Sequence, residues 1–349
     1  MAFQFELLKS ISETPGAPGF EQHIRNLVIQ QITPLVYNVN VDNMGNVVGF
    51  KKGSGDKKVM IAAHMDEIGF IVNHIDENGF VRFIPLGGFD PKTLTAQRVL
   101  IHGRKVLTGV MGSKPVHVMT DEEKKKAPKI EEYFIDLGMK KEEVEKYVSI
   151  GDSITREREL IEMGDCVNGK SLDNRISVYI MIKALQELKN TDLPYDLYAV
   201  FTVQEEVGIR GAQVATQEIQ PDFGFALDTT IAFDVPGSQP HESVTKLGEG
   251  VAVKILDSTA IADYRMIKYI KEQADNNNIK WQPELLAKGG TDTAMVQRMT
   301  KSGSIAGAIS IPTRHIHQVI ETIHKYDIEG ATKLLIHCVK NLEKNDWKH

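Results

Sequence analysis

An α/β fold with a mainly parallel sheet, interrupted by a β-rich insertion, is what the 349-residue sequence predicts. Three observations carry that expectation. From about Asp165 to the end, apolar strand runs alternate with helical runs, the pattern of crossover units in a parallel sheet. Between about 68 and 164 the alternation stops and the chain reads as a series of hairpins. Finally, four apolar strand runs finish in histidine or carboxylate residues, and an open parallel sheet gathers such strand ends along one edge. The expected division is one discontinuous domain, 1–67 with 165–349, and an inserted domain, 68–164.

In chain order, "FELLKSISETP" and "GFEQHIRNLVIQQI" place apolar residues at helical spacing on either side of the breaker "PGAPG". "VYNVNVDNMGNVVGFKKG" switches to period-two alternation around Asn43 to Gly45, a hairpin signal. "KKVMIAAHMD" is dense in Val, Ile and Ala and reads as a strand covered on both faces. "FIVNHIDENGFVRFIPLGGF" and "RVLIHGRKVLTGVMGS" read as two antiparallel pairs, the charged "TDEEKKKAPKIEEY" as a solvated loop, "KKEEVEKYV" as a short helix and "SIGDSITREREL" as a strand. After the insertion, "NRISVYIMIKALQELKN" is expected as an amphipathic helix. "YDLYAVFTVQEE", "DFGFALDTT" and "GSIAGAISIPTRHIH" are expected as strands, separated by the helices "RGAQVATQEI" and "IADYRMIKYIKEQADNNN" and closed by the helix "EGATKLLIHCVKNLEK".

Composition narrows the function classes. The chain is 42% hydrophobic and 25% charged, ordinary for a soluble globular protein. No stretch reaches the roughly 18 uninterrupted apolar residues of a membrane span, and "MAFQFELLKSISETPG" lacks the parts of a signal peptide, so a cytoplasmic protein is expected. A net charge of -6 and a pI near 6.0 give no basic field for nucleic acid or an anionic membrane. Cys166 and Cys338 make neither a disulfide framework nor a thiolate zinc site and read as small buried side chains.

The strand ends carry the chemistry. "VMIAAHMD" ends in His64 and Asp66, "VFTVQEE" in Glu205 and Glu206, "FGFALD" in Asp228, and "ISIPTRHIH" in His315 and His317; Asp173 lies in "GKSLDNR" just ahead of a helix, where a helix-capping role suits it equally well. Mixed imidazole and carboxylate donors suit Zn²⁺, Co²⁺ or Mn²⁺ better than Ca²⁺ or Mg²⁺. Five ligands exceed the three of a single catalytic zinc, and fit two metals sharing one carboxylate. Adjacent strand residues point to opposite faces. One glutamate of the pair is therefore free to take a proton from water and return it to the leaving amine while the other binds metal. A solvated pair at a strand end is the plainer alternative.

With those residues in place, the sequence resembles the M42 family of metallo-aminopeptidases, which includes glutamyl and tetrahedral (TET) aminopeptidases. "AAHMDEIGF", "GKSLDNR", "TVQEEVGIRGA", "ALDTT", "KGGTDTAMVQ" and "IPTRHIH" occur in that family's order, and the similarity runs from "TPGAPGFE" to the closing helix. The resemblance implies a zinc-exopeptidase-like α/β/α catalytic domain. Its two divalent ions, Zn²⁺ first and Co²⁺ or Mn²⁺ as alternatives, would be held by His64, Asp173, Glu206, Asp228 and His317. Asp173 would bridge, His64 and Asp228 would complete one metal, Glu206 and His317 the other, with Glu205 as general base and Asp66 orienting His64. It also implies that the insertion is a PDZ-like dimerisation domain, that homodimers can assemble into hollow homododecamers, and that the substrates are short peptides trimmed from the N-terminus.

Relatives commonly have an aromatic residue at the position of His315, which here offers a second imidazole expected on the same strand face as His317, an alternative ligand or a substrate contact. The loop "AKGGTDTAM", with Lys288, Gly289, Gly290 and Asp292, is expected to border the substrate pocket, where Lys288 would favour an acidic side chain. Two rival readings stand beside the peptidase: an endoglucanase-type glycoside hydrolase, which needs two carboxylates facing each other across a sugar, and a non-catalytic metal-binding scaffold.

Overall fold

The structure is a computed structural model that describes residues 3–349. Among these residues eleven strands form one sheet, which takes in Ile161–Met163 from the end of the segment 68–164. Its centre is parallel: Asp196–Thr202, Lys58–His64, Phe223–Ile231 and Ile305–Arg314 lie side by side in that order. The flanks differ from the expected mainly parallel sheet. The hairpin Asn38–Val41 and Val47–Lys51 joins one side antiparallel. Glu321–His324, Cys166–Gly169 and Ile161–Met163 extend the other side antiparallel. Val251–Leu256 also pairs antiparallel with Ile305–Arg314, and parallel with Trp281–Leu285. The sheet is therefore mixed, with parallel pairs in the middle and one more at the side, Val251–Leu256 with Trp281–Leu285.

Period-two alternation splits each central strand between two layers. Val59, Ile61 and Ala63 belong to the large core beneath the helices Phe5–Glu13, Gln22–Ile32, Leu172–Leu188, Tyr264–Asn276 and Lys325–Asn341. Met60 and Ala62 face the opposite layer, packing with Val200, Ala215 and Val296 under the helices Arg210–Ile219 and Thr293–Arg298. That second layer sits close. A Cβ on Gly224 would lie 2.1 Å from Val296 Cγ1, so the central strand needs glycine there for the short helix to dock.

Leu172–Leu188 departs from the amphipathic helix expected. Fifteen of its seventeen residues are buried, because the sheet covers one side while Phe5–Glu13 and Lys325–Asn341 cover the other. A helix enclosed in this way keeps little polar exposure.

The strands Gly69–Ile75, Val81–Leu86, Phe134–Asp136, Val106–Gly112, Arg98–His102 and Ser153–Arg156 close into an antiparallel barrel. The first and last strands seal it through Phe70↔Ile154 and Ile71↔Ser153, which removes the open edges. Its core is separate, built on Phe70, Val72, Phe83, Ile101, Met111 and Ile135. Within it Phe70 stacks on Phe89 at 4.2 Å and meets Phe83 edge-on at 4.8 Å. The charged segment expected as a loop holds a short helix, Asp121–Lys124, because Thr120 and Glu123 form a reciprocal capping box.

Candidate metal centre

His64 is the last residue of Lys58–His64, and its parity continues that of Met60 and Ala62. On the neighbouring strand the register Ala226↔Ala62 sets Asp228, two residues further on, beside it. Asp228 lies inside Phe223–Ile231 rather than at its end, so the strand runs past the site. Asp173 arrives from the helix start with a non-helical backbone, φ -80 and ψ 108. It turns both carboxylate oxygens toward imidazoles: Oδ1 is 3.4 Å from His64 Nε2 and Oδ2 is 3.3 Å from His317 Nε2. Asp228 Oδ1 is 3.7 Å from His64 Nε2, and Glu206 Oε2 is 3.3 Å from His317 Nε2. Four scattered residues thus gather around Asp173.

The two glutamates follow a strand that has already ended. Asp196–Thr202 stops three residues before Glu205, and Gln204 takes a left-handed φ of 53. In the loop that follows, Glu205 carbonyl accepts from Gly208 and Ile209 N–H. The pair therefore diverges by loop geometry rather than by strand alternation. Glu205 Oε2 lies 3.9 Å from His64 Nε2, whereas Glu206 faces His317. Asp66 holds both in place, accepting the Glu205 and Glu206 main-chain N–H at 3.1 Å each. Its Oδ1 is also 3.5 Å from His64 Nδ1, and its carbonyl 3.1 Å from the same nitrogen. The sequence suggested the histidine contact and missed the two amides.

His315 is not on a strand face with His317. Ile305–Arg314 ends before both, each has a left-handed φ (63 and 57), and His315 is exposed and absent from the cavity that His317 lines. Lys288, Gly289 and Gly290 do line that cavity, of about 430 Å³, at whose base lie His64, Asp173 and Glu206. Asp292 sits behind the wall instead, buried, accepting from Thr202 Oγ1 at 2.6 Å.

Crowded acids in a dry site resist ionisation. Burial, with Asp228, Glu206 and Asp292 nearby, raises the Glu205 carboxyl well above its ordinary range against the pull of His64. Burial, opposed by His317 and reinforced by Asp173, pushes Glu206 up to about 8. Burial disfavours the His317 cation, yet Glu206 and Asp173 outweigh it and push that imidazole up to about 10. Asp173 goes the other way: burial opposes its charge, but hydrogen bonds with His317 and His64 hold it well below the carboxylate range.

This donor set fits a pair of divalent cations. His64, Asp173 and Asp228 form one group, and Asp173, Glu206 and His317 another, each with ligand atoms within 4.8 Å of one another. Among the described residues Glu206 Oε1 is buried with no hydrogen-bond partner. Asp173, Glu205, Glu206 and Asp228 together bring four formal negative charges, which two doubly charged ions balance.

Behind these residues lies a buried ionic cluster that sequence reasoning missed. Lys170 Nζ donates to both oxygens of Glu67, at 2.7 and 2.8 Å. Arg175 donates to the Met65, Ile11 and Thr14 carbonyls, pinning the amino-terminal segment to the strand that carries His64. Glu321 Oε2 accepts the Asp173 main-chain N–H at 2.8 Å. The cavity wall adds a second buried pair, Lys254 with Glu284. Charged residues standing inside apolar runs, such as Glu67 in "HMDEIGF", were the available signal.

Fold and site together define a metal-dependent hydrolase working at the open edge of an α/β sheet. The particular kind follows from comparison: residues 45–334 match the family described as M42 glutamyl aminopeptidase, and the chain belongs to that family. It is 34% identical to the lysyl aminopeptidase of Pyrococcus furiosus, over 98% of this chain and 99% of that one. An aminopeptidase of the archaeon Desulfurococcus kamchatkensis superposes with a TM-score of 0.92 at 39% identity, covering 96% of this chain and 94% of that one. The Pyrococcus horikoshii TET1 peptidase, described as assembling into a tetrahedron or a large octahedral shell, superposes with a TM-score of 0.86 at 29% identity, covering 96% and 98%. The chain is accordingly a metal-dependent aminopeptidase.

Proposed function

We propose that this aminopeptidase holds two co-catalytic metals, one by His64 and Asp228, one by Glu206 and His317, with Asp173 shared. The single observation that carries the reading is the placing of the two Asp173 oxygens against two different imidazoles. Zn²⁺ is the first choice for this donor set, with Co²⁺ and Mn²⁺ as alternatives. Bound there, such ions would lower the pKa of a water and polarise the scissile carbonyl.

The chain's own residues do the rest. Glu205 belongs to neither ligand group, and its Oε2 is placed to accept a proton from water and deliver it to the leaving amine. Asp66 fixes the His64 ring and, through the two amides, the direction in which each glutamate leaves the loop. Lys288, Gly289 and Gly290 border the space for the substrate's first side chain, with Lys288 favouring an acidic one; Asp292 and His315 drop out as direct contacts. Short peptides are the substrates this cavity suits.

The domain division at 1–67 with 165–349 and 68–164 is part of the same reading, supported by the separate barrel core, with the insertion's end drawn back to before Leu160 because Leu160 and Ile161–Met163 join the main core and sheet. We assign the insertion as the PDZ-like dimerisation domain. The exposed Val106, Val110, Val116 and Val118 on one barrel strand and the turn after it support that role. A homododecamer is the proposed further assembly. A cytoplasmic location accords with two free cysteines; among the described residues no helix is long and apolar enough to cross a membrane.

The test is one sample assayed three ways: metal content, hydrolysis of a panel of aminoacyl amides, and size-exclusion mass. Two metal equivalents, and activity abolished by EDTA and restored by Zn²⁺ or Co²⁺, are expected. Chelator-resistant release of reducing sugar would return the reading to a glycoside hydrolase.

A further inference from the structure

One buried side chain joins the inserted barrel to the back of the metal centre. Arg156 ends the barrel strand Ser153–Arg156, where its backbone pairs with Val99. Its guanidinium nevertheless leaves the barrel and is only 3% exposed. There it meets four groups, each on a segment that carries a ligand. Nη1 donates to the main-chain carbonyl of Gln318, the residue after His317, and lies 3.8 Å from Glu321 Oε1. Nη2 donates to Ser171 Oγ at 3.4 Å, two residues before Asp173, and lies 3.8 Å from Glu67 Oε2, three residues after His64. Among the described residues no carboxylate grips the fork in the bidentate way that fixes a guanidinium by itself, and Nε has no partner. Its position is therefore set by where the barrel seats.

The two ligand groups depend on this contact unequally. His64 closes a buried strand, and Asp66 holds its Nδ1. His317 has no comparable support. It follows the end of Ile305–Arg314 in a left-handed conformation, with a side chain 41% exposed. One restraint on its segment is the Gln318 carbonyl held by Arg156, and one restraint on the Asp173 backbone is Glu321, which Arg156 faces.

We propose that Arg156 is a positioning residue through which the barrel keeps Asp173 and His317 in metal-binding geometry, an inference that rests on the two-metal reading. Lysine at this position keeps a positive charge before Glu67 and Glu321 but cannot reach several partners at once with a planar fork.

The test titrates Co²⁺ into chelator-treated wild type, Arg156→Lys and Arg156→Met, following visible d–d absorption and bound metal, with circular dichroism and melting on the same samples. Wild type is expected to take two Co²⁺ in two steps. Arg156→Lys is expected to keep a cooperative melt and an unchanged first step, while its second step weakens about 10- to 100-fold, the range typical when an outer partner of a metal ligand is lost. Activity should fall at limiting Co²⁺ and recover at saturation. A second step indistinguishable from wild type overturns the inference. So does equal weakening of both steps, which marks general loosening. A wild type that binds fewer than two Co²⁺ overturns the two-metal reading itself. Should Arg156→Met unfold, because Glu67 and Glu321 lose their buried cation, the Arg156→Lys titration alone decides.

Discussion

Replacing Glu205 by Gln separates proton transfer from metal binding. The substitution is nearly isosteric, and the backbone around it is fixed independently, by Asp66 on the Glu205 N–H and by Gly208 and Ile209 on its carbonyl. Glu205 belongs to neither three-residue ligand group, so both metals should remain. What disappears is the carboxylate able to take up a proton, whose Oε2 lies 3.9 Å from His64 Nε2. A positioned general base is worth about 10²- to 10⁴-fold, which at 1.36 kcal/mol per decade is about 2.7 to 5.4 kcal/mol of barrier. The fall should appear in kcat, with KM little changed, because the lost interaction acts in the transition state. Hydrolysis of leucyl and glutamyl chromogenic amides, with metal content measured on the same protein, checks this. A kcat within tenfold of wild type, or the loss of a metal equivalent, would refute the assignment.

Other substitutions probe the remaining parts. Asp173→Asn should bring metal content below one equivalent and lower kcat/KM by more than about 100-fold, beyond the loss typical of an outer partner; retention of two equivalents would show that Asp173 is not shared. Lys288→Ala should lower the ratio of glutamyl to leucyl turnover by about 1.4- to 5-fold, the worth of an exposed ion pair, and an unchanged ratio removes the acidic preference. Burial opposes the charge of Glu67, but Lys170, Arg175 and Arg156 outweigh it and hold its carboxyl down to about 2, against 4.5 when unfolded. That difference contributes about 3 kcal/mol, fully present above pH 4.5 and lost as pH falls toward 2. Urea unfolding at pH 6 and pH 3 should therefore show a smaller pH-dependent loss in Glu67→Gln than in wild type, and an equal loss would mean that the cluster does not hold this proton off.

That the candidate ligands would meet was legible because the strand-borne ones stand in motifs next to apolar runs, and a sheet with parallel central strands aligns such runs. The flanks were not. Ile161–Met163, Cys166–Gly169 and Glu321–His324 have three or four residues each, too few for a period to show against the noise of composition. Val251–Leu256 and Trp281–Leu285 were missed although longer, since their pairing is decided by a distant strand rather than by local pattern. Reading Leu172–Leu188 as amphipathic failed because burial by neighbouring helices is a tertiary fact. His315 was misplaced for a related reason: a left-handed turn after Arg314 breaks the alternation that the sequence implied. The ionic cluster around Glu67 joins residues more than one hundred positions apart, and no window along the chain contains it.

Depth divides the metal centre. The side chains of His64, Asp173 and Asp228 expose 2%, 8% and 8% of their surface, whereas His317 exposes 41%. With two ions held as proposed, a competing chelator from bulk solution would meet the His317 flank first, although Glu206 beside it exposes only 4%. Purification in weakly chelating buffers should then leave molecules stripped on one side only, so that specific activity records the handling of a preparation as well as its sequence.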